Sequence, residues 1–231
     1  MSSIDSRISS TTNKDTVYHE LRDKILSLQL APGTLISENM ISEEYSISRT
    51  PVRDIIKILQ EEHLVEVLPQ IGTKVTQIDT SLISETLFLR YALEKEVFKT
   101  LCGKISDNEL SELKKSLDLQ DFFYQKKMIR EFHREDSLFH KLFFVFSNKK
   151  HLYDIIQKDS VHYERIRQIR ISSDPLSDIK RSIDGHQAMV SILEGKSNPS
   201  IISQLFENHI LSEEKTLLIL KEKMLDSGFF S

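Results

Sequence analysis

The sequence predicts a mostly α fold, with an N-terminal winged helix-turn-helix of three helices plus a β-hairpin wing, followed by an all-α six-helix antiparallel bundle. Three observations carry this reading. A short helical pattern ends near Tyr45-Ser46-Ile47, and a second opens at once with Ser48-Arg49-Thr50-Pro51-Val52-Arg53-Asp54. Two short runs of partly alternating polarity, Val65–Leu68 and Lys74–Ile78, flank the turn signal Pro69-Gln70-Ile71-Gly72-Thr73. From Asp79 onward the pattern is helical throughout, broken only near 103–107, 147–148, 172–175 and 195–199.

Residues 1–13 are rich in Ser and Thr and lack the apolar core of a targeting peptide, so a flexible N-terminal arm is expected there. Residues 14–78 form the expected winged helix-turn-helix domain. Its first helix spans Val17 to Leu28, with Leu21, Ile25 and Leu28 on one face, and Leu30-Ala31-Pro32-Gly33-Thr34 is a turn. In the last helix Val52, Ile55, Ile56 and Leu59 recur at i, i+3, i+4, i+7 and form one apolar stripe. Arg49, Arg53 and Lys57 fall on a separate flank, and Thr50 and Asp54 point further outward. Ser48 is a natural N-cap, and Pro51 is tolerated in a first turn whose amides lack helix partners anyway. Taken alone, this is equally an amphipathic surface helix with a solvated flank. A helix start bearing two arginines and two hydroxyls also suits the DNA major groove. There Arg bonds guanine O6 and N7 in pairs, and hydroxyls and amides hold phosphate.

Residues 79–226 form the expected helical domain, with helices near 80–103, 107–126, 128–146, 149–171, 176–195 and 198–224. Bundle cores of this kind often house metal and ligand sites. Asp136 and His140 are i, i+4 neighbours on the stripe of Ile129, Phe132, Phe139 and Phe143. His186 shares a stripe with Ile179, Ile183, Val190 and Leu193, and His209 with Ile202, Leu205 and Phe206. One acid and three imidazoles facing inward are costly unless something satisfies them, and a divalent cation does so. His133 is a competing candidate near the same face as Asp136, while His19, His63, His151 and His162 read as surface or partly buried residues. Arg90 shares a face with Ile83, Leu87, Val97 and Leu101 and precedes Glu94 by one helical turn. It is either half of a structural ion pair or a planar fork turned inward to grip a carboxylate. Arg167 is a second candidate for such a ligand, and Arg170 lies on the same helix face.

Composition narrows the function classes. A formal charge of −4 over 231 residues excludes a globally basic nucleic-acid binder. The first 78 residues hold eight Lys and Arg against eleven Asp and Glu, so DNA affinity must come from a local cluster and fall steeply with salt. Cys102 is the only cysteine, which forbids an internal disulfide and suits a reducing cytoplasm. No apolar run is long enough to span a bilayer, and no membrane association is expected.

Residues 17–78 resemble the DNA-binding domain of the GntR family of bacterial transcription regulators. The resemblance rests on Leu30-Ala31-Pro32-Gly33, Ser48 to Arg53, the Leu59 to Leu64-Val65 spacing, and Gly72. It implies that Ser48, Arg49, Thr50, Arg53 and Gly72 contact DNA. Ile41-Ser42, Asn39 and Ser46 depart from the family pattern, which bears on operator sequence. Residues 80–224 resemble the FCD domain, the all-helical effector domain of the FadR-like subgroup. That likeness is carried by Leu89-Arg90-x-x-Leu93-Glu94, Asp136-x-x-Phe139-His140, Gly185-His186 through Gly195, and Asn208-His209-Ile210. It implies a divalent metal (zinc, nickel, manganese or iron) on Asp136, His140, His186 and His209, with Arg90 at the effector pocket. The expectation is a cytoplasmic homodimeric repressor, not an enzyme, with double-stranded operator DNA and a small carboxylate effector as partners. Two rival readings stand beside it: a metal-dependent enzyme with a DNA-binding head, and a regulator whose polar cluster is a metal-free structural network.

Overall fold

The computed structural model describes residues 2–172, 176–224 and 227–231. The chain divides into two units, residues 1–80 with 159–168 and 220–231, and residues 81–158 with 169–219.

The first unit contains α1 (Ser2–Leu26), β1 (Leu35–Ile36), α2 (Glu38–Glu44), α3 (Arg49–Glu61), β2 (Val65–Leu68) and β3 (Gly72–Val75). The backbone of α1 is helical from Ser2, through the segment expected to be an arm. It ends at Leu26, and Leu28 sits at φ +62° in the turn that follows. The expected stripe is the core: Val52, Ile55, Ile56 and Leu59 are buried with Val17, Leu21, Ile25, Ile41, Val65 and Val75. Between α2 and α3 the chain turns tightly. Ser37 caps α2 by accepting from the Met40 N–H, and the Ser42 hydroxyl donates to the Ile47 carbonyl at 2.6 Å. Ser46 occupies the left-handed region at φ +52°, the conformation that a glycine would adopt at lower cost.

The wing differs from its expected form in two ways. β3 runs from Gly72 to Val75, with Val65 opposite Val75 and Leu68 opposite Gly72. β1 then adds a third antiparallel strand, giving the order β1-β3-β2. With only two residues, β1 is too short to display an alternation in the sequence. The apolar segment Gly228-Phe229-Phe230-Ser231 pairs with the segment after β3. The Ile78 N–H donates to the Phe229 carbonyl at 2.7 Å, and the Ser231 N–H donates to the Ile78 carbonyl at 3.2 Å.

The described helices of the remaining chain are α4 (Thr80–Leu101), α5 (Asp107–Gln125), α6 (Ile129–Phe146), α7 (Lys150–Asp159), α8 (Val161–Ser172), α9 (Leu176–Leu193), α10 (Ile202–Phe206) and α11 (Ser212–Lys223). α5 opens on a full capping box between Ser106 and Glu109 and packs on α6 and α9. Two of the six expected helices are subdivided. The stretch 149–171 breaks at the buried Ser160, where no Gly or Pro signals it. The stretch 198–224 comprises a 3-10 turn (Pro199–Ile201), α10, a π-helix (Glu207–Leu211) and α11. Among the described residues no helix is long and apolar enough to cross a membrane.

The start of α8 belongs to the first unit, and its burial there corrects the reading of His162 as a surface or partly buried residue. Val161 joins the first unit's core, and the buried Arg165 donates to the Thr76 carbonyl at 2.6 Å. His162 Nδ1 accepts from the Asp79 N–H at 3.1 Å. Burial, followed by the Arg165 charge, pushes the His162 pKa from 6.5 down to about 4. The folded state therefore binds this proton less readily than the unfolded state. The histidine's stabilising contribution is present above pH 6.5 and lost as pH falls towards 4. Urea midpoints measured across that window are expected to fall with pH in the native chain, and less steeply in His162→Gln.

Candidate nucleic-acid interface and metal centre

Burial of one face of α3 settles the direction of the other. Val52 and Ile55 are fully buried, while Ser48, Arg49, Thr50, Arg53 and Lys57 are exposed around the helix start. Ser48 is the N-cap residue by its extended backbone, but its side chain makes no cap hydrogen bond. Arg53 Nε lies 3.0 and 2.9 Å from the two carboxylate oxygens of Glu38 on α2. Lys14 pairs with Asp54 at 3.1 Å, and Lys74 of β3 with Glu66 of β2 at 2.7 Å. At the wing tip Gln70 has φ +65° and Gly72 φ +132°, and Ile71 is exposed between them. Gly72 thus occupies a backbone position that strongly favours glycine.

In the second unit three imidazoles converge. His140 of α6, His186 of α9 and His209 of the π-helix bring their Nε2 atoms within 3.1–3.2 Å of one another. Each arrives by a different route. The apolar stripe of α6, with Phe132, Phe139 and Phe143 buried, carries His140 inward. The Ile179, Ile183 and Val190 stripe of α9 does the same for His186, whose ring stacks on Phe139 at 4.3 Å. His209 sits in a π-turn that faces Gly185. A Cβ at that glycine would lie 2.6 Å from His209 Nδ1, so only glycine admits the ring.

The outward nitrogens of two of the rings are held. His186 Nδ1 is 2.6 Å from Gln120 Oε1, and His140 Nδ1 is 2.7 Å from Glu94 Oε2. The Gln120 acceptor assigns the His186 proton to Nδ1, leaving its Nε2 lone pair aimed at the shared centre. Burial and then the neighbouring histidines hold His186 well below the usual range, and the same causes bring His209 down to about 4. Burial pushes the Glu94 carboxyl up, but Arg90 and His140 outweigh it and bring it down to about 2. His186 and His209 are thus held as neutral donors, and a fixed carboxylate stands beside His140. Lone pairs 3.1–3.2 Å apart repel unless a positive charge lies between them, and this spacing suits three ligands of one cation about 2.1 Å from each. Asp136 lies at the margin, with Oδ1 3.7 Å from His186 Nε2 and outside the close group of three.

Arg90 donates from Nε to Glu94 Oε1 at 2.8 Å, so the ion pair expected as its structural alternative is formed. Its charge still reaches the cluster, contributing to the depression of both His186 and His209. Arg167 belongs to the first unit, where it pairs with Glu164 at 3.2 Å and lies over the Tyr163 ring. The described contacts do not bring it to the histidines. Arg170 bridges Glu213 at 2.8 Å and Asp178 at 2.7 Å. His133 packs edge-on against Phe132 and is not one of the three.

Sequence reasoning missed the roles of Glu94, Gln120 and Gly185 at the histidines. Gln120 carried one signal: with Leu113 and Ser116 it forms a buried face of α5 at helical spacing, unusual for an amide.

Comparison with known proteins finds two family models along the chain. That of the bacterial regulatory proteins of the gntR family matches residues 13–75, and that of the FCD domain matches residues 85–211. An HTH-type transcriptional regulator in an unstable DNA locus of Streptomyces ambofaciens is 31% identical over 166 residues, covering 68% of this chain and 66% of that protein. The gluconate operon transcriptional repressor of Bacillus subtilis strain 168 is 28% identical over 216 residues, covering 92% and 88%. The crystal structure of a transcriptional regulator GntR from Rhodococcus sp. RHA1 shares the fold at TM-score 0.69 and 22% identity, covering 90% of this chain and 98% of that one.

Gly185→Ala is expected to displace the His209 ring and weaken uptake of a divalent cation by about tenfold or more. Zinc titration against a chromophoric chelator checks this, and unaltered affinity would mean that the close approach does not position the ring.

Proposed function

The chain belongs to the gntR family of bacterial regulatory proteins, in its FadR-like subgroup with an FCD domain, and from that premise we propose a homodimeric repressor that binds a palindromic operator and is controlled by a metal-assisted carboxylate. The carrying observation is the first turn of α3. Arg49 and Arg53 stand exposed, one turn apart, on a helix whose opposite face is locked in a core. Ser48 and Thr50 supply hydroxyls beside them, and the wing with Gly72 supplies a second contact surface. Phosphate contacts would set register, and the arginines would read guanine edges. Two copies reading one half-site each account for a palindrome.

In the second unit His140, His186 and His209 would hold a divalent cation, with Asp136 as a fourth ligand; zinc, nickel, manganese and iron all accept such a set. When bound, the cation would supply positive charge for a ligand carboxylate. Glu94 and Gln120 orient the donor rings, as outer partners of metal-bound histidines do. Arg90 holds Glu94 and adds its own charge to the field. Effectors of carboxylate chemistry fit that field, and the Bacillus subtilis relative is named for a gluconate operon. Such a ligand changes DNA affinity only by the difference in its affinity for the two arrangements of the protein.

Selection from a random duplex pool is expected to recover one short inverted repeat. Arg49→Ala and Arg53→Ala should each weaken binding to it by about 1–3 kcal/mol. Native affinity in both variants would remove those residues from the interface. Metal analysis of untagged protein prepared without chelator should find about one ion per chain, lost in the His140→Ala/His186→Ala variant. A preparation that takes up no zinc, nickel or manganese would leave the cluster as a structural network.

A further inference from the structure

Arg53 already carries a carboxylate. Its Nε lies 3.0 Å from one oxygen of Glu38 and 2.9 Å from the other. Both ends of the pair are placed by buried structure. Glu38 opens α2 directly after the Ser37 cap and three residues before Ile41 of the core. Arg53 follows the fully buried Val52 and precedes the fully buried Ile55. The turn between the helices is tied by Ser42 to Ile47. The pair therefore spans two helices whose relative placement side-chain rotation cannot change.

The side chains are 66% and 35% exposed, and so open a pair adds little to stability. Its effect lies in how the guanidinium meets DNA. Guanine is read by a planar fork of two N–H donors on O6 and N7. With Nε engaged by Glu38, the terminal nitrogens form the fork left to point outward, and fixing its plane beforehand lowers the ordering cost of that contact. The same carboxylate opposes phosphate. A phosphate oxygen approaching Arg53 would have to share or displace Glu38 and would meet its negative charge. The acceptors of guanine carry no formal charge and incur a smaller penalty. A repulsive element of this kind sharpens specificity while lowering general affinity.

We propose that Glu38 is a specificity-determining positioning residue, which orients Arg53 to read a guanine and bars it from serving as a phosphate clamp. This rests on the DNA-binding reading above.

The test compares native protein, Glu38→Gln, Arg53→Ala and the double variant, at several salt concentrations. The probes are the selected operator, operators altered one base pair at a time, and an unrelated duplex. Glu38→Gln is expected to bind the unrelated duplex more tightly, with a salt slope steeper by about one phosphate contact. Its discrimination at the base pair read by Arg53 should fall by about tenfold. In the Arg53→Ala background the same substitution should leave every base preference unchanged. Glu38→Asp keeps the charge but shortens the reach, so it should lose discrimination while keeping weak binding to the unrelated duplex. The inference is overturned if Glu38→Gln retains native discrimination at every position, or if its loss recurs without Arg53. A native protein that selects no sequence would overturn the DNA-reading assignment itself, and this inference with it.

Discussion

A helix in a small domain can bury only one stripe, and that constraint governs the first unit. Val52, Ile55, Ile56 and Leu59 are withdrawn from water together. Rotating α3 to bury anything else would expose four large side chains, each worth about 1.5–3 kcal/mol of burial. The orientation of Arg49 and Arg53 is therefore a by-product of hydrophobic burial, enforced by residues that never meet a ligand. The turn before α3 concedes something to this arrangement: Ser46 takes a left-handed backbone so that Ser48 can start the helix where the core requires it.

In the second unit the same constraint is turned to a different use. His140 and His186 occupy positions on apolar stripes that would otherwise hold aliphatic residues, so each brings a desolvation cost. Gln120 and Glu94 offset it at the outward nitrogens, and Arg90 in turn stabilises the Glu94 carboxylate. The outcome is a chain of dependence from Arg90 through Glu94 to His140, in which a charge at the periphery sets the donor strength of a ring at the centre. The ion pair weighed for Arg90 is formed, and through Glu94 it acts on the cluster.

Much of this was legible in the sequence because helical periodicity reports burial directly. The α3 stripe and the inward positions of His140 and His186 follow from spacing, and the order of helices, hairpin and helices follows from turn residues. What stayed hidden lacks a periodic signature. β1 is two residues long, and the break at Ser160 involves neither glycine nor proline. The buried face of His162 is made by residues distant in sequence, which one helix's pattern cannot reveal. Glu94 was visible as a partner for Arg90 four residues away, but its contact with His140 crosses between helices. Gly185 entered the sequence reading only as part of the FCD-like motif, and the motif does not reveal that its missing side chain admits His209.

The π-turn at Glu207–Leu211 has a consequence for how such a site is gained or lost over evolution. A π-turn closes on the fifth residue where an α-turn closes on the fourth, so it accommodates one extra residue. Removing that residue would restore the α-helix and swing the downstream positions by about 100°. A single-codon deletion could therefore carry the third imidazole away from its partners while leaving all three histidines in the chain. Among homologues, possession of the three histidines would then be an incomplete criterion for the cluster, and the length of the segment between Phe206 and Ser212 would matter as much as their identity.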